Sequence, residues 1–364
     1  MALGTAASAD GHGPLTVFGT WLGPDQAAVE AVLDGFTAAT GHEYSYVGSG
    51  SFEQQILIDA EAGSAPNIAV FPQPALASDF ASKGFLTPLA DGTDDWIREN
   101  YAAGQSWVDL GKYGGAGGAD DLYGFFNADV KSLAWYSPEN FEDAGYDIPE
   151  TMEELKVLTD QIVADGGTPW CIGLGSGAAT DWPATDWVEE MMLRTQPPAV
   201  YDEWVANSMP FTDERVAAAI EEFGVFARND DYVAVAGGAG AGATTDFRDS
   251  PKGLFSSPAQ CYMHRQASFI LAFFPEGTVV GEDADFFYFP AYASKDLGAP
   301  VLGAGTVWLI TNDSEAAHAL VEYIQTPEAN EIWMSKGGFL TPGKGVDTSK
   351  FVMAGPAGHS QTTM

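Results

Sequence analysis

The stretch Leu15-Thr16-Val17-Phe18-Gly19-Thr20-Trp21-Leu22-Gly23-Pro24 turns an apolar run into a burst of small and aromatic residues and then into a helix start. From Pro24 onward Val29, Val32, Leu33 and Phe36 recur at the spacing of one helix face. A proline suits the first turn because the N–H it lacks has no helical partner there. The same unit follows twice more. Tyr44 to Val47 reads as a strand ending in Gly48-Ser49-Gly50-Ser51-Phe52 before a helix through Ile56, and Asn67 to Phe71 reads as a third, ending in Pro72-Gln73-Pro74 before a helical stretch that stops near Gly84. Strand, loop and helix repeated in this way predict an α/β fold with a largely parallel sheet. Ligands of such sheets sit at the carboxyl ends of the strands. Aromatic faces and neutral hydrogen-bonding groups crowd those ends here, a lining that suits a sugar better than an ion.

Further along, residues 101–121 are Gly-rich and aromatic, Leu122 to Phe126 reads as a strand, and Val130 to Tyr136 as another. Thr151 and Glu154 form a capping box, with Leu155, Leu158 and Ile162 on one face of the helix that follows. The helix ends at Gly166-Gly167, and Trp170 to Gly173 begins a buried strand. A second α/β unit therefore occupies roughly residues 127–300, with a helix bearing Val216, Ile220 and Phe223, a Gly/Ala loop at 237–243 and a core strand at Phe286 to Pro290. Leu302 to Ile310 reads as a further strand leading into a helix, and Thr326-Pro327 starts a helix carrying Ile332 and Trp333.

A chain of 364 residues, 46% hydrophobic and 12% aromatic, has the size for two compact lobes and the composition to bury a core in each. No apolar run reaches the roughly 18 to 20 residues that cross a bilayer. Fifteen Lys and Arg against 51 Asp and Glu leave a formal charge of -36. Such a field repels phosphate backbones and anionic lipid, so nucleic acid and membrane insertion are excluded as partners, and the acidity reads as a solvated surface. Ala7-Ser8-Ala9 fits a signal-cleavage pattern, which makes residues 1–13 the remnant of a signal on an exported protein. The two cysteines, Cys171 and Cys261, agree with an oxidising compartment if the fold brings them together, although chance supplies an even pair almost as well.

Enzyme signatures are sparse. Gly173-Leu174-Gly175-Ser176-Gly177-Ala178 matches G-x-G-x-x-A, but it lies mid-chain with no helical run straight after it. There is no G-x-x-x-x-G-K-[ST] and no G-x-S-x-G, and His12, His42, His264, His318 and His359 offer no i, i+4 metal pair. Neither metal nor cofactor is expected. Two alternatives stay open: a glycoside hydrolase, whose diagnostic is the separation of two carboxylates in space, and a binding protein for a polyamine or peptide.

The segments "PENFEDAGYDIPETMEELKVLTDQI" (138–162), "GGTPWCIGLGSGAATDWPATDWVEEMMLR" (166–194), "DFRDSPKGLFSSPAQCYMHRQASF" (246–269), "DADFFYFPAY" (283–292), "GAGTVWLIT" (303–311) and "GFLTPGKGV" (338–346) resemble the extracellular solute-binding proteins of carbohydrate ABC importers. Within that maltose-binding-like family they are most similar to the α-glucoside-binding branch, and the resemblance runs over residues 14–351. It implies a type II periplasmic binding fold of two α/β lobes closing over sugar in the cleft between them, with residues 14–125 and 301–340 in the first lobe and 126–300 and 341–364 in the second. It implies no catalysis, a periplasmic monomer, a small neutral sugar as ligand and permease subunits as partners. By position the ligand contacts would be Trp21, Leu22, Ser49, Gly50, Ser51, Gln55 and Gln73 from the first lobe, and Trp170, Asp186, Trp187, Thr244, Thr245, Phe247, Arg248 and Gln260 from the second. Gly303, Gly305 and Thr306 would lie on the returning strand. Trp308 and Trp333, on apolar faces, are expected in the core. Maltose-binding relatives carry a charged pair after the third strand where this chain has Gln73 between two prolines.

Overall fold

The computed structural model describes residues 13–337 and 340–350 of the chain. The signal-remnant reading therefore lies, apart from Gly13, outside the described residues, as does the tail from residue 351.

From the start the chain alternates as its periodicity predicts: β1 (Leu15–Gly19), α1 (Pro24–Thr40), β2 (Tyr44–Gly48), α2 (Phe52–Glu61), β3 (Ile68–Phe71) and α3 (Pro74–Ser82). Helices α4 (Thr93–Asn100) and α5 (Gly104–Gly111) lead to a hairpin, β4 (Lys112–Gly114) with β5 (Asp120–Leu122), and then to β6 (Phe125–Val130). Next come β7 (Leu133–Tyr136), α6 (Pro138–Ala144), α7 (Met152–Ala164), α8 (Trp182–Thr195), α9 (Pro198–Val205) and α10 (Glu214–Ala227). Two short strands, β8 (Met263–Arg265) and β9 (Asp285–Tyr288), precede the long β10 (Gly303–Ile310), α11 (Glu315–Ile324) and α12 (Pro327–Ser335).

Two compact units result. Of the described residues, unit 1 takes those up to Asn127 with Thr306–Trp333 and Pro342–Val346; unit 2 takes those within Ala128–Gly305 and Met334–Thr341 and those after Val346. The chain thus changes unit inside β6 and again inside β10. The five-stranded sheet has the order β2-β1-β3-β10-β6, with β1 parallel to both β2 and β3 and β10 antiparallel to β3. All four residues of β3 are buried, as a strand covered by helices on both faces requires. Phe18, Phe52, Ile56, Phe71, Phe80 and Leu309 fill the adjoining core. In unit 2 the three-stranded sheet β8-β7-β9 is antiparallel, so the parallel pairing predicted by the strand, loop and helix repeats is found in the five-stranded sheet, which is mixed.

Local signals explain most element starts. The capping box at α7 is formed in both directions, Glu154 N to Thr151 Oγ1 and Thr151 N to Glu154 Oε2, each 3.2 Å. Where the structure departs from the expected strands, backbone hydrogen bonds supply the reason. The run Leu122 to Phe126 is broken because the amides of Tyr123 and Gly124 both turn to Gly111 O. A Cβ on Gly124 would come within 2.5 Å of Val307 Cγ2, so only glycine allows this approach. The run Val130 to Tyr136 is broken where Lys131 N donates to Leu302 O over 2.9 Å. Trp170 makes single bridges to Val233 and Met263 instead of entering a ladder.

Candidate functional site

In unit 1 the three parallel strands deliver their loops to one edge. Tyr46 donates its hydroxyl to Trp21 O over 3.0 Å, and a Cβ on Gly48 would stand 2.1 Å from that same carbonyl, so the loops after β1 and β2 are in direct contact. Leu22 is 37% exposed beside them, within reach of Gly48 and Gly50. Ser49 Oγ accepts from Ser51 N at 3.1 Å and shapes the turn into α2. Gln73 is exposed at the start of α3 and makes no cap bond. Gln55 is also exposed; its Nε2 donates to Asp59 Oδ1 one turn on over 2.8 Å, which leaves its Oε1 to accept. Trp21 itself is buried, its ring 5.7 Å from Trp308 and 5.3 Å from Trp333, both core residues as expected.

In unit 2 the Gly-rich stretch 173–178 packs against the loop at 244–247. Gly175 N donates to Thr245 O over 2.8 Å, Phe247 N donates to Gly175 O over 2.9 Å, and a Cβ on Gly173 would lie 2.7 Å from Ser250 Cβ. These glycines therefore serve backbone contact. A 3-10 turn at Gly177–Ala179 follows them, not the helix of a dinucleotide site.

Against this loop stands an aromatic platform that sequence reading found only in part. Trp182, the half-buried first residue of α8, meets Phe247 edge-on at 5.0 Å and Phe269 at 5.8 Å; Phe273 meets Phe247 at 5.7 Å. The Arg248 guanidinium lies 4.5 Å from the Phe247 ring centre and is ion-paired with Asp246 at 3.0 Å. Phe247 is buried beneath it, whereas Trp182, Phe269, Phe273 and Arg248 keep exposed surface. Thr244 and Gln260 are exposed and Thr245 is half-buried. Pro183 was the signal for Trp182, since proline at a helix start places the preceding residue at the loop.

Other expected contacts lie elsewhere. Trp170 has no exposed surface: its ring packs edge-on against Trp187 and Phe226, and its Nε1 donates to Thr159 Oγ1 over 3.2 Å. Trp187 is buried in the same core, stacked on Phe223. Neither ring has a face for a ligand, which corrects the contacts that the family resemblance implied for Trp170 and Trp187. Asp186 Oδ1 holds Lys131 Nζ at 2.6 Å, with Glu189 at 3.7 Å. Burial opposes the Lys131 ammonium, but Asp186 and Glu189 outweigh it and hold its pKa above the usual lysine value. Below this pair Glu190, fully buried, joins Arg194 and takes Arg265 at 2.9 Å, and Ser132 donates to it over 3.0 Å. Three acids thus face three bases in two neighbouring groups, and such pairing keeps buried charge tolerable. Ser132 Oγ in turn accepts from Leu302 N over 2.8 Å, tying the segment before β10 to α8. Cys171 and Cys261 form a disulfide, with Cα atoms 5.4 Å apart. On β10, Gly303 is exposed, Gly305 is buried, and Thr306 donates to Asn127 Oδ1 over 2.6 Å. Among the described residues no cluster of His, Cys, Asp and Glu could hold a metal, and no helix is long and apolar enough to cross a membrane.

Comparison with known proteins places these features. The sequence profile described as bacterial extracellular solute-binding protein matches residues 20–331. The alpha-glucosides-binding periplasmic protein AglE of Rhizobium meliloti (strain 1021) is 61% identical over 93% of this chain and 74% of its own length. The osmoprotective compounds-binding protein GgtB of Synechocystis sp. (strain ATCC 27184 / PCC 6803 / Kazusa) is 39% identical over 93% of this chain and 78% of its own. Among solved structures, the bacterial solute receptor AcbH, described with an exclusive preference for β-D-galactopyranose, superposes with a TM-score of 0.78 at 21% identity, covering 94% of this chain and 83% of that one. Maltose-bound T. maritima MalE3 superposes at 0.70 with 13% identity, covering 94% and 85%. These two likenesses show the fold, that of two-lobe maltose-binding-like proteins.

Proposed function

Because the chain belongs to the bacterial extracellular solute-binding proteins, a family of binders and not of enzymes, we propose that it captures a small neutral sugar, an α-glucoside or similar oligosaccharide, and delivers it unchanged to the permease of an ABC importer. In this reading it works as a periplasmic monomer. The observation that carries the reading is the platform of Trp182, Phe269 and Phe273 with Arg248 over Phe247. An aromatic face takes the C–H side of a pyranose, and a guanidinium beside it binds hydroxyls through charge-assisted hydrogen bonds. The high identity to an α-glucoside binder narrows the sugar class.

From unit 1, Leu22, Ser49, Gly50, Ser51, Gln55 and Gln73 contribute neutral hydrogen bonds and one apolar contact. From unit 2, Thr244, Thr245, Arg248 and Gln260 contribute polar contacts around the platform. The returning strand adds Gly303, Gly305 and the Thr306 hydroxyl. Phe247 acts one layer back, beneath Arg248 and Trp182, while Trp21, Trp170, Trp187 and Asp186 are buried and make no contact with the sugar in this reading. A micromolar complex needs about -8 kcal/mol, within the reach of two stacked rings and several such bonds after ordering costs.

The test is a thermal-shift screen over maltose, trehalose, sucrose, methyl α-glucoside and non-sugar osmolytes. Ligand at about 100 times its Kd stabilises the folded state by about 2.7 kcal/mol, so one α-glucoside should raise the melting temperature by several degrees and polyamines should not. No shift with any sugar, or release of free glucose during incubation, refutes the proposal.

A further inference from the structure

Unit 1 carries a polar cleft lined by none of the strand-end residues Leu22, Ser49 or Gln73. It lies among the end of α4, the junction of α11 with α12 and the 343–346 strap, and has a volume of about 300 Å³. Trp96, Asn100, Glu322, Gln325, Asn330 and Lys344 line it, and all belong to unit 1. Its walls are fixed by the backbone: Ala102 N donates to Pro342 O over 2.7 Å, Lys344 N donates to Asn100 O over 2.8 Å, and Tyr101 bridges to Gly343. The Trp96 ring is braced by Tyr101 at 5.6 Å and Phe125 at 6.2 Å and remains half-buried.

The free hydrogen-bonding capacity of the lining identifies the ligand class. Asn330 spends its Nδ2 protons on Ile324 O and Thr326 O, so its Oδ1 is left as an acceptor. Asn100 Nδ2 donates to Trp96 O, which leaves its Oδ1 likewise. Lys344 Nζ uses one proton on Glu99 O and keeps two. Among the described residues the side chains of Glu322 and Gln325 make no hydrogen bond or ion pair, and both stand at least partly in solvent. Acceptors on Asn100, Asn330, Glu322 and Gln325, donors on Lys344 and Gln325, and an indole suit a compound that both donates and accepts many hydrogen bonds and offers a C–H face. Lys344 opposes a cationic ligand and Glu322 an anionic one. The volume is at the small end of ligand pockets, room for a single sugar ring.

We propose that this cleft is a second, weak carbohydrate site, independent of the platform in unit 2 and of the ligand assigned to it. Few contacts and an open mouth give it a millimolar dissociation constant.

The experiment is an NMR titration of the full ¹⁵N-labelled chain with glucose and with maltose, following the Trp96 indole N–H, assigned by Trp96→Phe, and the Trp182 indole N–H separately. The Trp96 signal should move saturably in the millimolar range, and Glu322→Ala and Gln325→Ala, both at surface positions that leave the fold intact, should each weaken the response about tenfold, the effect of one lost hydrogen bond. A Trp96 signal that stays still, one that moves equally with sodium chloride or betaine, or one indifferent to both substitutions overturns the proposal. Because Trp182 reports on the other site, failure of the proposed function shows as a still Trp182 signal whatever Trp96 does.

Discussion

Thr306 donates its hydroxyl to Asn127 Oδ1 over 2.6 Å, and Trp308 Nε1 donates to the same oxygen over 2.9 Å. Asn127 is the last residue of unit 1 on β6 and Thr306 its first on β10, so one buried amide oxygen joins both crossing strands where they leave the unit. Replacing Asn127 by Ala strands the buried Trp308 Nε1 donor, which costs about 1–3 kcal/mol when unpaired, and the half-buried Thr306 hydroxyl, which costs less. Asn127→Ala is therefore expected to lower stability by about 2–4 kcal/mol, and Asn127→Asp, which keeps the acceptor, by less. Urea unfolding followed by tryptophan fluorescence measures this. Equal midpoints for the Ala variant and the parent would show that the oxygen carries no such role.

His264 gives the fold a pH dependence with a definite sign. Burial disfavours its charged form and the nearby Arg265 adds to this, while the hydrogen bond to Cys171 O works the other way; the net effect lowers its pKa to about 4 from the usual 6.5. Between these values the unfolded chain binds a proton that the folded chain does not, so stability is complete above about pH 6.5 and falls as pH drops toward 4. The loss approaches about 3 kcal/mol at the bottom of that window. Glu153, whose pKa is lowered to about 2 by hydrogen bonds from the Ser294 and Ala293 region, acts in the same direction in a separate window below about pH 4.5. Melting temperatures from pH 7 to 4.5 should fall in the parent and fall less in His264→Gln. Parallel curves would remove His264 as the cause.

The disulfide between Cys171 and Cys261 closes a loop of 90 residues within unit 2. On the chain-entropy account a loop of that length restricts the unfolded state by about 4–5 kcal/mol. Both sulfurs are buried, and Cys261 packs against Gly253, where a Cβ would meet its Sγ at 2.4 Å. Ellman's reagent added under denaturing, non-reducing conditions should find no free thiol, and Cys171→Ser with Cys261→Ser should melt well below the parent. Two titratable thiols per chain would contradict the pairing.

Much of the first unit was legible because its signals are local. Pro24 and Pro74 each mark a helix start, as the Thr151 to Glu154 box does in unit 2, and the alternation of β1, β2 and β3 with their helices follows from spacing alone. The platform was not legible in the same way. It joins the first residue of α8 to Phe247 and Phe269, three segments that only tertiary packing brings together. Position at a strand end likewise says nothing about which way an indole turns, and Trp170 turns inward. The antiparallel pairing of β7 with β8 and β9 depends on strands of three and four residues, too short to announce their partners.

Trp170 and Trp182 separate support from contact. Trp170 is sealed among Trp187, Phe226 and Phe289, so Trp170→Ala removes a large buried ring and its hydrogen bond to Thr159. Such a truncation costs about 3–5 kcal/mol, and any loss of sugar binding would follow the loss of fold. Trp182 is half-exposed at the end of its helix, so Trp182→Ala should change the melting temperature little while weakening binding of the α-glucoside found in the screen by about tenfold or more. Calorimetric titration of both variants, beside their melting curves, reads the two effects independently. Unaltered affinity in Trp182→Ala would detach the platform from the ligand. A Trp170→Ala protein of parental stability that no longer binds sugar would restore Trp170 to the contact set.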